Sequence, residues 1–274
     1  MQRAVLIMLV AMSLIPVGDS AGKILTSRLG VEPVFVAWSR FALGTVLVLP
    51  FLPKGSFALL GNWRIWVRAS MLCCGITCIQ FALRTVDIAT VFAAFFIGPM
   101  FSYVLATLFL REHVTIVRSV LILLGFGGVL LVVRPGTGGD ADVLWAVAAG
   151  LFYGAFLTMS RWLSHLGKPL SLTFTQLAIS MFLLLPFGLT NLPEASLPIA
   201  SMTLASALFS MLGNLLLLYA YGLAPATRLA PLVYFQLIAA VLLGWVLFST
   251  LPDAFTWAGL ALIIGAGLAS TRLR

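Results

Sequence analysis

Runs of about twenty apolar residues follow one another along the chain, separated by short polar or turn-forming pieces. Crossing about 30 Å of hydrocarbon as a helix takes about twenty such residues. The pattern predicts helical spans near 4–24, 34–53, 65–83, 88–110, 116–133, 142–162, 170–190, 199–221, 229–249 and 255–271. The separators include Arg28-Leu29-Gly30, Pro53-Lys54-Gly55, Arg111-Glu112-His113, Pro135-Gly136-Thr137-Gly138-Gly139, Gly167-Lys168-Pro169, Pro193-Glu194 and Leu251-Pro252-Asp253. The connections near 84–88 and 222–228 are very short. No segment has room to fold as a soluble domain. The expected fold class is an all-α membrane protein of ten transmembrane helices.

Composition agrees. Hydrophobic residues make up 62% of the 274 residues and charged ones only 9%, against about 25% charged in a soluble domain. So few charges cannot cover a water-facing surface, and lipid becomes the expected solvent. The net charge of +8 would suggest nucleic acid in a soluble protein, but these basic residues stand singly between apolar runs. They are better read as topology signals. One side collects Arg3, Lys54, Arg64, Arg68, Arg111, Arg118, Arg161, Lys168, Arg228, Arg272 and Arg274; the other has Lys23, Arg28, Arg84 and Arg134. Eleven against four puts both termini in the cytoplasm. Trp38, Trp63, Trp66, Trp145, Trp162, Trp245 and Trp257 fall near span ends, as interfacial anchors do. The first span resembles a signal peptide, but it has an internal counterpart in the sixth, so it is expected to be retained.

The two halves resemble each other. Ala42, Leu47, Leu49, Pro50 and Phe51 answer Ala178, Leu183, Leu185, Pro186 and Phe187, and Leu123-Leu124-Gly125-Phe126-Gly127 answers Ile263-Ile264-Gly265-Ala266-Gly267. The expected units are residues 1–137 and 138–274. With five spans in each half, the second starts on the opposite side, so the repeats are inverted. Many secondary transporters enclose a central site this way.

Further segments carry a family resemblance: Ser39-Arg40-Phe41-Ala42, Gly98-Pro99 running to Leu110-Arg111-Glu112, Tyr234-Phe235-Gln236 to Leu243-Gly244-Trp245, and Pro252-Asp253-Ala254-Phe255-Thr256-Trp257-Ala258-Gly259. In these and in its span count the chain resembles the drug/metabolite transporter superfamily, in its ten-helix EamA-type branch. Among that branch it looks most like bacterial aromatic and general amino acid exporters of the inner membrane. The halves have diverged: Glu112 answers Thr250, and Pro99 answers Leu237.

Ionisable and polar groups at membrane depth are candidates for function. Asp19 and Lys23, four residues apart, share a helix face beside Pro16, which can kink the helix. They form either an ion pair near the interface or part of a substrate or proton site. Arg40 could hold a carboxylate in its planar fork, or pair with Asp19 or Glu32. Its counterpart is Gln176. Gly98-Pro99 leaves an unpaired carbonyl in mid-span, with Gln236 as the counterpart of Gly98. Phe95 and Tyr103 lie near Gly98 in the sequence and Tyr234 near Gln236; Gln80, Tyr153 and Asn214 add polar atoms on other spans. These groups either line a cavity or hold helices together. Gly18 and Gly22, like Gly150 and Gly154, have the spacing of close helix packing. Cys73, Cys74 and Cys78 lack metal-site spacing and read as small packing residues.

No catalytic signature or P-loop occurs in the sequence, so the expectation is a transporter with no enzymatic activity and no cofactor. Its partners are expected to be the lipid bilayer and a small-molecule substrate, with amino acids first and no nucleic acid. The alternatives are a drug, nucleotide-sugar or organic-phosphate carrier of the same fold, a membrane enzyme acting on lipid, or a regulatory subunit. A phosphate carrier should hold several basic residues within its spans, where the sequence offers only Arg40 and Lys23.

Overall fold

The structure is a computed structural model that describes residues 2–110, 116–133, 141–223 and 230–272. Helices make up all the regular structure among these residues: α1 (Gln2–Ser27), α2 (Pro33–Val48), α3 (Trp63–Thr85), α4 (Ile88–Phe95), α5 (Ile97–Leu110), α6 (Ile116–Val133), α7 (Val143–Trp162), α8 (Pro169–Thr190), α9 (Leu197–Leu223), α10 (Phe235–Phe248) and α11 (Ala254–Arg272). A 3-10 turn, Ala230–Tyr234, leads directly into α10. Seven helical stretches are long and apolar enough to cross a membrane, and Ser119–Val133, Leu232–Phe248 and Ala254–Ala269 are shorter apolar helices. The Arg111-Glu112-His113 turn and the loop at 135–139 lie outside the described residues.

Local chemistry sets several boundaries. Pro33 and Pro169 open their helices, where a missing N–H costs nothing. Asn62 caps α3 by accepting the Arg64 N–H at 3.0 Å. Prolines within spans act unequally. α1 runs unbroken through Pro16, so the expected kink does not become a break. The run 88–110 instead divides at Phe96, three residues before Pro99. Proline cannot donate to the carbonyl four residues earlier, that of Phe95, and the helix is interrupted there.

α1 packs along α9 and α10, α7 along α3 and α5, α2 against α8, and α6 against α11. Glycines make the tightest approaches possible. A Cβ on Gly98 would lie 2.6 Å from the Gly150 carbonyl oxygen, and one on Gly154 would lie 2.5 Å from the Gly98 carbonyl oxygen. The core centres on α4, where Ile88, Val91, Phe92, Ala93 and Ala94 are almost fully buried.

The outer surface is apolar: Phe109 is 76% exposed, Ile116 83% and Leu197 83%. A belt of exposed large hydrophobic side chains is a lipid-facing surface. The chain is a multi-pass membrane protein. Cys73 and Cys78 are buried as packing residues, whereas Cys74 is exposed, which corrects the expectation for that one.

Candidate substrate cavity

A cavity of about 440 Å³ occupies the middle of the helix bundle. That lies within the usual range of about 300–1,000 Å³ for small-molecule sites. One wall is aromatic, with Phe92, Phe95, Phe96, Tyr153 and Tyr234. Phe96 stacks near Tyr234 at 5.3 Å between ring centres, and Phe95 lies 5.0 Å from Tyr153. The other walls carry Asp19, Arg40, Gln176, Ser210, Asn214 and Gln236. Such a surface can take an apolar or flat body while fixing a few polar atoms.

The cavity reaches toward the end of the bundle where α1 begins, through Met12, Val48, Thr173 and Leu217. The opposite end is strapped shut. There Lys23 Nζ donates to the Leu83 and Val86 carbonyls at 2.9 and 2.7 Å, at the end of α3. Arg28 donates to the Leu247 carbonyl at 2.8 Å. Both cations lie over the Phe248 ring, Lys23 Nζ at 5.5 Å and Arg28 Cζ at 5.1 Å from its centre.

Asp19 therefore does not pair with Lys23, although they share a helix. Helical spacing permits such a contact without selecting it, and Lys23 is long enough to reach carbonyls freed at the end of a neighbouring helix. Asp19 instead accepts from Arg40 Nη1 at 2.6 Å, both residues being buried. Arg40 Nη2 also donates to the Ser210 hydroxyl. Gly18 makes this possible, because a side chain there would occupy the space of Ser210. Glu32, the other candidate partner of Arg40, pairs with Arg84 at 3.7 Å.

The cavity wall gathers Asp19, Arg40, Phe95, Pro99, Tyr153, Asn214, Tyr234 and Gln236. Asn214 donates its amide to the Ser210 carbonyl at 2.8 Å. Gln236 is buried, with no hydrogen-bond partner among the described residues. Lys23, Gln80, Gly98 and Tyr103 are not on that wall. Lys23 straps the closed end, and Gly98 is consumed by the α5–α7 crossing. The Gln80 amide lies against Gly22 with neither polar atom paired, and the Tyr103 hydroxyl is likewise unpaired.

Three polar wall residues lie outside the candidate set: Thr173, Gln176 and Ser210. Behind the wall lies Arg68, which falls inside the expected span 65–83 and counts in the sequence only as a topology charge. It sits in the second turn of α3, 5% exposed. Its Nε donates to Ser160 Oγ at 2.8 Å, Nη1 to the Leu172 carbonyl at 3.1 Å and Nη2 to Gln176 Oε1 at 3.0 Å. The available signal was that Arg68 follows Trp66-Val67 inside an apolar run rather than in a polar separator.

The EamA-like transporter family matches this chain twice, over residues 2–134 and 141–271. A riboflavin transporter of Brucella anthropi is 28% identical over 254 residues, covering 88% of this chain and 89% of that protein. An S-adenosylmethionine uptake transporter of Rickettsia felis is 26% identical, covering 92% and 88%. A pseudopaline exporter of Pseudomonas aeruginosa is 26% identical, covering 87% and 86%. One solved crystal structure superposes with a TM-score of 0.67 over 100% of this chain and 99% of that one; at 18% identity the likeness is one of fold. With both halves matched and transporters as its relatives over nearly their whole length, this chain belongs to the EamA-like transporter family.

Proposed function

We propose that this chain is a secondary transporter that exports amino acids, or small metabolites with an amino-acid head group, across the bacterial inner membrane by alternating access. The observation that carries this reading is the Asp19–Arg40 pair on the wall of an aromatic-lined cavity within apolar helices. An amino-acid head is an ammonium beside a carboxylate, and each loses water on leaving solution. Inserted into the pair, the ammonium meets Asp19 and the carboxylate meets Arg40. No charge is then left uncompensated. The aromatic wall favours an apolar or aromatic side chain. The relatives carry riboflavin, S-adenosylmethionine and pseudopaline. Of these, S-adenosylmethionine itself combines an amino-acid head with a flat ring.

Ten spans in two inverted repeats, residues 1–137 and 138–274, are the architecture we assign. The double family match supports it. So does the packing: α1 on α9 and α7 on α3 are the same pairing with the halves exchanged. The interruption at Phe96 and the 3-10/α junction at Tyr234 each fall two residues before the corresponding Gly98 and Gln236, and the two rings touch. With cytoplasmic termini, the cavity is in its inward-facing state.

The test is reconstitution into liposomes with a panel of labelled amino acids, with and without a pH gradient. Saturable flux is expected for aromatic or other neutral amino acids. A folded protein that moves none of them sinks the cargo assignment. In a background lacking the three native cysteines, a cysteine at Asn214 or Gln236 should react with a small polar reagent and be protected by cargo. Inert cysteines at both positions in a stable protein would reassign these side chains to helix packing.

A further inference from the structure

Arg68 is a buried cation with four favourable contacts and no carboxylate. Besides its three hydrogen bonds, its Cζ lies 4.6 Å from the centre of the Phe156 ring. Among the described residues, the ion pairs are Arg40 with Asp19 and Arg84 with Glu32. Asp19 and Arg40 cancel, so Arg68, like Lys23 at the far end of the cavity, is a buried cation with no carboxylate paired to it. A buried charge without a counter-charge is costly and calls for a compensating role.

Arg68 also fixes the orientation of its neighbour. A guanidinium has donors only, so Gln176 must present its carbonyl oxygen to Arg68. The Gln176 NH2 is then the end left for the cavity, whose wall Gln176 helps to form. Neither that NH2 nor the Thr173 hydroxyl, one turn earlier on the same wall, has a hydrogen-bond partner among the described residues. Both are therefore available as donors, and the nearest formal charge behind them is positive. The aromatic strip leads to this point, since Tyr153 lies 5.9 Å from Phe156, the ring beneath Arg68.

We propose that Gln176 and Thr173, backed by Arg68, form a second subsite for an anionic group of the cargo, so that the cargo bears a carboxylate in addition to its amino-acid head. This rests on the function proposed above. Arg68 is a positioning residue: it orients the Gln176 amide and supplies the charge without lying on the cavity wall itself. The Arg68–Gln176 link joins the third and seventh spans, as Arg40–Ser210 joins the eighth and second. The two subsites are thus one pairing of spans with the halves exchanged, and only the first contains an acid.

The probes are phenylalanine, 4-carboxyphenylalanine and the side-chain amide of the latter. Their apparent affinities are measured by thermal unfolding of the purified full-length protein and by competition for flux in proteoliposomes. The wild type is expected to favour the acid over the amide by about tenfold or more, the range of one charge-assisted hydrogen bond. Gln176→Glu gives Arg68 a carboxylate of nearly unchanged shape, so the protein should fold. The acid-to-amide ratio should fall to one or below. Arg68→Gln should move the ratio the same way. A wild type that treats acid and amide alike overturns the proposal, as does an acid preference that survives Gln176→Glu. Phenylalanine separates the two readings. If it is carried while the acid has no advantage, only the second subsite is lost; if none of the three is carried, the cargo assignment itself fails.

Discussion

A buried arginine beside a carboxylate and a buried arginine without one set different requirements on the residues around them. Arg40 has Asp19 at 2.6 Å, so removing Asp19 strands its charge. Breaking a buried pair on one side costs about 3–5 kcal/mol. Asp19→Asn keeps the shape and one acceptor oxygen, so the protein should fold with a lower unfolding temperature. Flux should fall by about tenfold or more, equal to about 1.4 kcal/mol or more of lost barrier lowering. In the double variant with Arg40→Gln, the buried charge is gone. Thermal stability should recover while flux does not. A double variant no more stable than Asp19→Asn, or wild-type flux in either protein, would make the pair merely structural. At this scale the sequence was legible in which polar groups lie at membrane depth, and Asp19, Arg40, Asn214 and Gln236 do meet at one cavity. It was not legible in who pairs with whom. Lys23 satisfies carbonyls 60 and 63 residues away in the chain, a choice fixed by how α1 and α3 pack.

Helix by helix, the controlling feature is the crossing of α5 and α7. The Phe95 carbonyl, left without a donor by Pro99, lies against α7 at Gly150, where a Cβ would come within 2.6 Å of both that oxygen and Ile97 Cγ2. Backbone can yield little, so Gly150→Ala should be destabilising, by about 1–3 kcal/mol as for other overpacked sites. Gly127→Ala, on α6, meets nothing within 4 Å. There the helix propensity of alanine favours it by about 1 kcal/mol. Thermal unfolding of the two variants in the same detergent should give shifts of opposite sign; equal shifts would mean that the α5–α7 contact is looser than described. Element positions were readable because span length is set by the bilayer. The interruption at Phe96 was partly readable, since Pro99 announces a lost hydrogen bond, but Pro16 and Pro186 announce the same and leave α1 and α8 whole. The seventh span's place on the cavity wall, through Thr173, Gln176 and Leu177, was likewise invisible. It follows from the pairing of α2 with α8 across the two halves.

For the whole molecule, the sequence points to an orientation that depends on charges lying in loops. Two of the residues counted for it prove to be buried within helices: Arg68 in α3 and Lys23 in α1. A buried side chain held by its neighbours reports packing, and the positive-inside bias acts on Lys and Arg in short loops near span ends. With Arg68 and Lys23 set aside, the balance becomes ten against three, and the argument for cytoplasmic termini is stronger than before. The proposed inverted repeat makes the consequence strict. With five spans in each half, the loop joining the halves and both termini must lie on opposite faces of the membrane. A reporter active only in the periplasm should therefore stay silent when fused after Arg274 and become active when inserted near residue 138. Activity at Arg274 with silence at 138 would invert the orientation and make the cavity outward-facing. Activity at both sites would mean that the halves do not each cross five times, and the alternating-access reading would lose its symmetry.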